Sequence, residues 1–377
     1  MIIFITIPWF DPAFKAGGPV QSIKNLVTEF REDVEYRIFC GNTDLNETPL
    51  VDIETGKWID YNHYTKVWYA TTNRRSETLL EQVKMTRPDC LFIVGIFSWH
   101  FNIVPMLFCK VPLKIVSVRG MLHPGALTQK SLKKKLYINA WRMTGLQDKV
   151  RFHATDLQEA AFIKAAFGEQ VVIDIAANFP KRFAAFPAKA KQEGQLDMIS
   201  IALISPMKNH LLVLEALAEI EEAISYHIYG PVKDIAYWQH CSEQIEKLPP
   251  NITVRYHGEV NPSAIGDLLS DAHLFILPSK SENFGHAIYE ALSAGRPVVT
   301  SHNTPWQSLA ENYAGQNTDT TIAAVRAAIE HFAGLNQFEY DRYVKGSAIY
   351  AADKIDEAEI REQYRRMFFE TAANPNS

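Results

Sequence analysis

The sequence has few cysteines, and they are not arranged as metal ligands or redox pairs. Cys40, Cys90, Cys109 and Cys241 lie far apart in a chain of 377 residues, with no CxxC pair among them. Zinc-binding and thioredoxin-like motifs need closely spaced cysteines, so we do not expect either kind of site. Scattered cysteines are typical of reduced thiols, and we expect a cytoplasmic location.

The chain also lacks long hydrophobic runs and an excess of basic residues. No apolar run approaches the roughly 18 residues of a membrane-spanning helix, so none is predicted. The opening MIIFITIPWF lacks the basic segment of a signal peptide and is predicted to be a buried strand. A formal net charge of −5 argues against nucleic acid as a partner.

Motifs for common nucleotide and metal chemistry are absent as well. No GxGxxG follows a predicted strand and no GK[ST] occurs, which disfavours a dehydrogenase or a P-loop NTPase. No Asp-x-Asp pair and no His/Asp/Glu cluster has the spacing of metal ligands. We therefore expect neither a metal ion nor another cofactor.

Short apolar runs alternate with helical patterns along the whole chain. This alternation is typical of a parallel sheet covered by helices, and it restarts after a polar linker at Ala184–Asp197. The sequence predicts an α/β protein of two doubly wound, Rossmann-like domains that face a cleft. The expected domains are 1–184 and 185–355, with a last helix at about 356–373 that can pack back onto the first.

The segment PSKSENFGHAIYEALSAGRPVV (278–299) places two glutamates in a strand–loop–helix–strand unit. Glu282 lies in the loop and Glu290 on the helix, about 130° from the centre of its apolar face. Ligands bind at such loops in open α/β sheets. The spacing alone leaves open that both glutamates are solvated surface residues.

The same segment, with its preceding strand residues LFIL, resembles the Glu-x7-Glu motif of the retaining family-4 glycosyltransferases of the glycosyltransferase-B fold. KAGGPVQSIKNL (15–26) resembles the family's glycine-rich first loop, and ISPMKNHLLVLEAL (204–217) resembles its lysine motif. VSVRGMLHPGAL (116–127) resembles a segment of members that build bacterial surface polysaccharides.

The resemblance implies a retaining, metal-independent hexosyltransferase. Its donor would be a nucleotide diphosphate sugar, and its acceptor a saccharide or a lipid-linked glycan of capsule, lipopolysaccharide or exopolysaccharide synthesis. Two alternatives stay open. One is a catalytically silent, sugar-nucleotide-binding subunit of an assembly complex, and the other is a nucleotide-sugar epimerase of the same fold.

The resemblance also assigns roles in the donor site. Glu290 would accept hydrogen bonds from the ribose hydroxyls, and Glu282 would lie beside the transferred sugar. Backbone N–H groups of Asn283, Phe284 and Gly285 would meet sugar or phosphate oxygens at the helix start.

The diphosphate needs positive charge and close backbone approach. Lys208 is the expected phosphate ligand, the alternative being a solvated lysine near a helix start. Gly17 and Gly18 would let the backbone approach the ligand, or would form a plain turn.

Two positions depart from the family's pattern. Leu203 stands where the family usually has an arginine, and Arg119 stands where it often has a histidine. We expect Arg119 to supply the missing charge to the diphosphate, and the alternatives are an anionic acceptor or pairing with a carboxylate. His123 is a candidate for contact with the acceptor or the sugar.

A basic stretch at 129–143, QKSLKKKLYINAWRM, mixes lysines and arginine with leucines and aromatic residues. It suits peripheral contact with an anionic membrane surface at the inner face of the membrane. The alternative is a solvated helix with one face towards the core.

Overall fold

The computed structural model describes residues 1–15, 17–31, 33–123 and 131–370, and the chain folds as two compact units. Unit 1 comprises Met1–Phe179 and the C-terminal segment that begins at Glu357. Unit 2 comprises Pro180–Asp356. Each unit is built on one largely parallel sheet with helical connections. This confirms the predicted fold class of two doubly wound α/β domains.

The sheet of unit 1 has eight strands. Their bounds are Ile2–Thr6 (β1), Glu35–Gly41 (β2), Trp58–Asn62 (β3), Thr65–Ala70 (β4), Cys90–Val94 (β5), Leu113–Ser117 (β6), Arg151–Ala154 (β7) and Ile173–Ile175 (β8). They lie in the order β3-β4-β2-β1-β5-β6-β7-β8. All neighbours are parallel except β3, which pairs antiparallel with β4 at the edge of the sheet.

The connections of unit 1 are mostly helical. The described helices are Gly18–Glu29 (α1), Arg75–Thr86 (α2), Val104–Phe108 (α3), Ser131–Thr144 (α4) and Leu157–Phe167 (α5). Short 3-10 turns occur at Leu45–Glu47 and Leu146–Lys149, and Trp99–Ile103 forms a π-helical turn directly before α3.

Unit 2 has six parallel strands. Their bounds are Gln195–Ile201 (β9), Ala223–Tyr229 (β10), Ile252–Tyr256 (β11), Leu274–Leu277 (β12), Val298–Ser301 (β13) and Gly315–Thr318 (β14). They lie in the order β11-β10-β9-β12-β13-β14. The helices are His210–Leu217 (α6), Ile235–Ile245 (α7), Ile265–Ser270 (α8), His286–Ser293 (α9), Ile322–Gly334 (α10) and Gln337–Lys354 (α11).

The last helix belongs to unit 1. Helix α12 (Glu357–Arg365) continues into a π-helical turn at Arg366–Glu370, while residues 371–373 of the predicted helix lie outside the described residues. Tyr364 stacks on Phe179 with ring centroids 5.3 Å apart. Gln363 accepts a hydrogen bond from the backbone of Ala177 at 2.9 Å. The helix therefore covers the end of the chain segment that leaves β8.

Central strands are largely buried because helices cover both faces of a parallel sheet. Strands β5 (CLFIV) and β12 (LFIL) are the clearest cases. The sequence did not predict β3 or β14. Both are edge strands, β3 half-exposed and β14 made of Gly-Gln-Asn-Thr, so neither contains a continuous apolar run.

In each sheet, the strand order reverses beside the first strand. Strand β1 lies between β2 and β5, and β9 lies between β10 and β12. Open α/β sheets bind ligands at the carboxyl ends of the strands that flank such a reversal. The loops after β1 and β5 are called the unit 1 switch point below, and the loops after β9 and β12 the unit 2 switch point.

Candidate active site

The unit 2 switch point holds two of the predicted site residues. Lys208 lies in the turn between β9 and α6, and Glu282 lies in the loop between β12 and α9. The two loops are joined by a backbone hydrogen bond, in which Lys280 N–H donates to the Met207 carbonyl at 2.8 Å. Residues 74 positions apart are thereby brought together.

Lys208 and Glu282 form a close ion pair. The Lys208 Nζ donates to Glu282 Oε1 at 2.5 Å, and the Ser279 hydroxyl donates to the same oxygen at 2.6 Å. The lysine side chain is 22% exposed and the glutamate side chain 9%. Partial burial strengthens such a pair because less water screens it. The site therefore offers adjacent positive and negative charges that solvent reaches mainly through the lysine.

Three of the other predicted residues, Asn283, Phe284 and Gly285, form the loop directly before α9. Gly285 has a φ of 76°, and a Cβ atom there would lie 3.2 Å from Trp306 Nε1 and 3.6 Å from Glu282 Cγ. The Phe284 carbonyl accepts a hydrogen bond from that indole nitrogen at 2.5 Å. The loop is thus held against the start of α9, where first-turn N–H groups carry partial positive charge.

Glu290 is buried in α9. It is 5% exposed, and no described residue donates a hydrogen bond to its carboxylate. Burial raises its pKa to about 7, an effect that the charge of Lys181 partly opposes. The alternative of two solvated surface glutamates is therefore wrong. A buried carboxylate without donors is unfavourable by itself and well suited to hydroxyl groups of a ligand.

The sequence did not predict two further residues of this site. Ser279 orients Glu282, and only its place at the end of β12 could have indicated it. His210 is 1% exposed beside Lys208, and neither of its ring nitrogens has a partner among the described residues. Burial lowers its pKa to about 3, with the charge of Lys208 acting in the same direction. Burial beside Lys208 therefore favours the neutral form of His210.

Gly17 and Gly18 lie at the unit 1 switch point, where the loop after β1 enters α1. Gly17 precedes the helix with φ 77° and ψ −139°, a conformation that favours glycine. A Cβ atom on Gly18 would meet nothing within 4 Å. Gly18 is therefore not required by the packing of unit 1, and its surroundings leave room for a ligand.

Arg119 lies just beyond the carboxyl end of β6 and is enclosed within unit 1. It is 9% exposed and its Nη1 donates to Asn178 Oδ1. Its Nε and Nη2 make no hydrogen bond of normal geometry to a described residue. The guanidinium also lies beside Tyr364: burial raises the pKa of that phenol, and the charge of Arg119 opposes the rise. The φ of Arg119, 51°, is left-handed, which is unfavourable for arginine. Contact between those two nitrogens and a ligand requires a rearrangement, because both are shielded from solvent.

His123 lies in the same part of unit 1, at the end of the described segment 33–123. Its ring meets Phe162 edge-on at 5.1 Å, and burial lowers its pKa. Lys208, Glu282, Asn283–Gly285 and Glu290 therefore all lie in unit 2, where contacts join Lys208, Glu282 and Gly285. Gly17–Gly18, Arg119 and His123 lie in unit 1.

A metal site and a membrane-spanning helix each place requirements on the described residues. Within residues 1–15, 17–31, 33–123 and 131–370, no group of three or more His, Cys, Asp or Glu residues is placed to hold a metal ion. No helix of the described chain has the length and apolar character needed to cross a membrane.

The sequence of unit 2 matches a known family. The model described as Glycosyl transferases group 1 matches residues 181–337. The matched segment contains every predicted donor-site residue of unit 2, from Lys208 to Glu290. No curated protein matches the chain in sequence.

Solved structures show that the glycosyltransferase-B fold extends over the whole chain. Sucrose-phosphate synthase (tll1590) from Thermosynechococcus elongatus is 14% identical and has a TM-score of 0.73, with 99% of each chain covered. Anabaena Alr3699/HepE in complex with UDP-glucose is 15% identical with a TM-score of 0.69, covering 98% of this chain and 99% of HepE. WaaG, a glycosyltransferase involved in lipopolysaccharide biosynthesis, is 12% identical with a TM-score of 0.62, covering 98% and 100%.

The burial of Glu290 predicts a specific dependence of stability on pH. A carboxyl that keeps its proton to about pH 7 when folded, but ionises near its ordinary value when unfolded, destabilises the fold as the pH rises between these values. Glu290→Gln removes this titration. Relative to the wild type, the variant should gain roughly 2–3 kcal/mol of unfolding free energy between pH 5 and pH 8, measured by urea unfolding. A difference that does not vary with pH would contradict the buried, titrating carboxyl.

Proposed function

We propose that the protein is a retaining, metal-independent glycosyltransferase that moves a hexose from a nucleotide diphosphate sugar to a glycan or lipid-linked acceptor. Unit 2 would bind the donor and unit 1 the acceptor. The observation that carries the proposal is the ion pair of Lys208 and Glu282, in a segment that also contains the buried Glu290 and matches the Glycosyl transferases group 1 model. These side chains suit three parts of such a donor, namely its diphosphate, its sugar and its ribose.

The ribose would be held by Glu290. Its carboxylate has no donor among the described residues, and the two neighbouring hydroxyls of a ribose can each donate one hydrogen bond to it. Those bonds favour the ionised form. Donor binding would therefore shift the pKa of Glu290 downwards from about 7.

The charge pair fits the chemistry of transfer. As the bond between the anomeric carbon and the phosphate oxygen breaks, its electron pair goes to the diphosphate and positive charge develops on the sugar. Glu282 would stabilise the sugar, and Lys208 with the start of α9 would stabilise the diphosphate. The acceptor oxygen then bonds to the anomeric carbon on the face that the diphosphate leaves, and its proton passes to the departing phosphate.

Similar proteins support the substrate class and the setting. A nucleotide diphosphate sugar occupies the HepE structure, and WaaG acts in lipopolysaccharide biosynthesis. We infer a role in bacterial polysaccharide synthesis, of the capsule, lipopolysaccharide or exopolysaccharide type, in the cytoplasm.

Three features of unit 1 are also part of the proposal: the glycine loop, His123 and Arg119. Gly18 has room for a ligand beside it, and Gly17 shapes the loop. His123 would contact the acceptor or the sugar. A role for Arg119 towards the diphosphate, or towards an anionic acceptor, stays a prediction that requires its guanidinium to leave Asn178.

The two alternatives differ from a transferase in what they produce. A silent binding subunit would bind donor without hydrolysing it, and an epimerase would return an isomeric nucleotide sugar. The close pair of Lys208 and Glu282 favours catalysis over binding alone. Incubation of donor with enzyme in EDTA, with and without acceptor, separates all three outcomes and tests metal independence.

Helix α4 supports peripheral contact with an anionic membrane. Tyr137 and Trp141 pack inwards, whereas Leu132, Leu136 and Met143 form a stripe on the opposite face and are 71%, 61% and 87% exposed. Exposed Lys133, Lys135 and Arg142 flank the stripe. A solvated helix with a core-facing side does not by itself account for this second, exposed apolar stripe. Gln129 and Lys130 lie outside the described residues.

Loss of Glu290 should weaken binding of the free nucleotide. For Glu290→Ala, we expect the affinity for UDP to fall by roughly 1.5–3 kcal/mol, the range for hydrogen bonds to a charged group, measured by calorimetry. Glu246→Ala, on the exposed surface of the same unit, is the control and should leave it unchanged. Unchanged UDP affinity in a folded Glu290→Ala variant would refute the ribose assignment.

Loss of the charge on Glu282 should affect turnover more than binding. Glu282→Gln keeps the shape but not the charge, so we expect kcat to fall roughly 100-fold or more while donor affinity changes little. The measurement is steady-state transfer together with calorimetry. Near-normal turnover would remove Glu282 from the mechanism.

Polar substitution of the α4 stripe should weaken membrane binding. The variant Leu132→Ser/Leu136→Ser/Met143→Ser should lower partitioning onto phosphatidylglycerol vesicles roughly tenfold, measured by co-sedimentation. Phe338→Ser/Ile349→Ser removes exposed apolar residues from α11 of unit 2 and is the control. Equal partitioning of the two variants, or wild-type binding to neutral phosphatidylcholine alone, would contradict an anionic membrane surface as the partner of α4.

A further inference from the structure

We propose that Trp99 binds the acceptor, with its indole as a platform for the apolar face of an acceptor sugar ring. The inference rests on the proposed function and adds to it a residue that no sequence motif indicated. Three observations support it: where Trp99 lies in the sheet, how exposed its side chain is, and how firmly its backbone is held.

Trp99 lies at the unit 1 switch point. It begins the π-helical turn that follows β5, and β5 neighbours β1, whose own loop leads to Gly17 and Gly18. The turn reaches over adjoining strands as well. A Cβ atom on Gly41, the last residue of β2, would lie 3.7 Å from Phe101 Cζ and 3.0 Å from the Pro8 carbonyl. Trp99 is therefore at the sheet edge where a ligand of unit 1 is expected.

The indole is exposed to a degree that packing does not explain. Trp99 is 57% exposed and is the most exposed of the seven tryptophans. Its side chain makes no hydrogen bond or ring contact with another described residue. An aromatic ring of this size left in water forgoes the stabilisation that burial would give. This is expected where a ligand covers the ring during function.

The backbone beneath Trp99 is held in place on both sides. Asn102 Nδ2 donates to the Val94 carbonyl and Asn102 Oδ1 accepts from Ser98 N–H, both at 2.8 Å. On the other side, the His100 ring nitrogen Nδ1 lies 2.7 Å from the Ser76 hydroxyl. Trp99 is thus presented by a fixed turn. Such preorganisation reduces the entropy lost when a ligand binds.

The chemistry around the ring suits a sugar. Carbohydrate rings have a face of C–H groups that packs on the negative face of an aromatic ring, and hydroxyls at the rim that need polar partners. His100, Ser76 and Arg75 lie next to the turn and can supply such partners.

A lipid surface is the other possible partner of Trp99, because α4 packs nearby: its Tyr137 ring lies 5.5 Å from Phe97 and its hydroxyl donates to the Ile96 carbonyl. The vesicle measurement below separates these two partners.

Two other exposed apolar residues, Met85 and Phe108, lie elsewhere. Helix α2 runs from the carboxyl end of β4 towards the start of β5, so Met85 in its last turn is near the opposite edge of the sheet. Phe108 is the last residue of α3, which precedes the start of β6, so Phe108 also lies near the amino ends of the strands. Trp99 does not form one patch with them.

The test compares Trp99→Ala, Trp99→Tyr and a control, Phe108→Ala, which removes an aromatic side chain that is 61% exposed. The probes are p-nitrophenyl glycosides of glucose, galactose and N-acetylglucosamine, with binding measured by saturation-transfer NMR and transfer by product formation. We expect Trp99→Ala to raise the acceptor KM or Kd roughly tenfold. Trp99→Tyr should keep most of the affinity, and Phe108→Ala should behave as the wild type. UDP affinity serves as the donor-side reference.

The inference is overturned if folded Trp99→Ala binds the glycosides as the wild type does, or if the wild type binds none of them. It is also overturned if Trp99→Ala loses only binding to phosphatidylglycerol vesicles, because Trp99 would then contact the membrane. Failure of the proposed function looks different: no donor is hydrolysed or transferred by the wild type, whereas glycoside binding in the NMR experiment needs no donor.

Discussion

The candidate site of unit 2 is built around the ion pair between Lys208 and Glu282. An ammonium and a carboxylate 2.5 Å apart attract each other strongly where burial limits screening, and Ser279 fixes the carboxylate from a second direction. The pair exists because parallel strands end at the same edge, so that the loops after β9 and β12 meet although they are distant in sequence. The loop that follows is held separately, because the Trp306 indole donates to the Phe284 carbonyl and Glu282 N–H donates to the Asn303 carbonyl.

Unlike Lys208 and Glu282, Glu290 has no oppositely charged side chain paired with it in the part of the chain that the structure describes. Lys208 and Glu282 compensate each other in the unliganded protein, whereas Glu290 is buried without a donor among the described residues and has a raised pKa. Uncompensated polar groups in a folded core are unfavourable, and natural proteins retain them mainly at functional sites. The ligand that supplies the missing hydrogen bonds would also stabilise the fold, because it binds only the folded form.

Strands could be predicted from the sequence where the strand is itself a continuous apolar run. Central strands such as β5 and β12 are continuous apolar runs, since both of their faces are covered. Edge strands β3 and β14 lack that signal and were missed. The angle of Glu290 on its helix predicted a position off the apolar face, but other elements of unit 2 pack over that side as well. The spacing of apolar residues identifies one buried face of a helix. It does not show whether other elements of the fold also cover the remaining faces.

Contacts between residues that are distant in sequence could not be predicted either, because they depend on the order of the strands. Which loops meet depends on strand order, and nothing in the spacing of Lys208 and Glu282 indicates that β9 and β12 are neighbours. Likewise, Arg119 is enclosed by Asn178, which lies 59 positions later. The resemblance to a known family predicted Lys208 and Glu282 as site residues, and the fold shows that they are in contact.

The two switch points differ in chemistry although they are built alike. The unit 2 switch point presents charged groups, Lys208 and Glu282, next to a helix start. The unit 1 switch point presents a glycine with open space beside it and an exposed indole, Gly18 and Trp99. Charges suit a diphosphate and a developing cation, whereas an aromatic face beside open backbone suits a neutral sugar ring. Because the two sheets are built alike, this difference in chemistry lies in the loops that follow their strands.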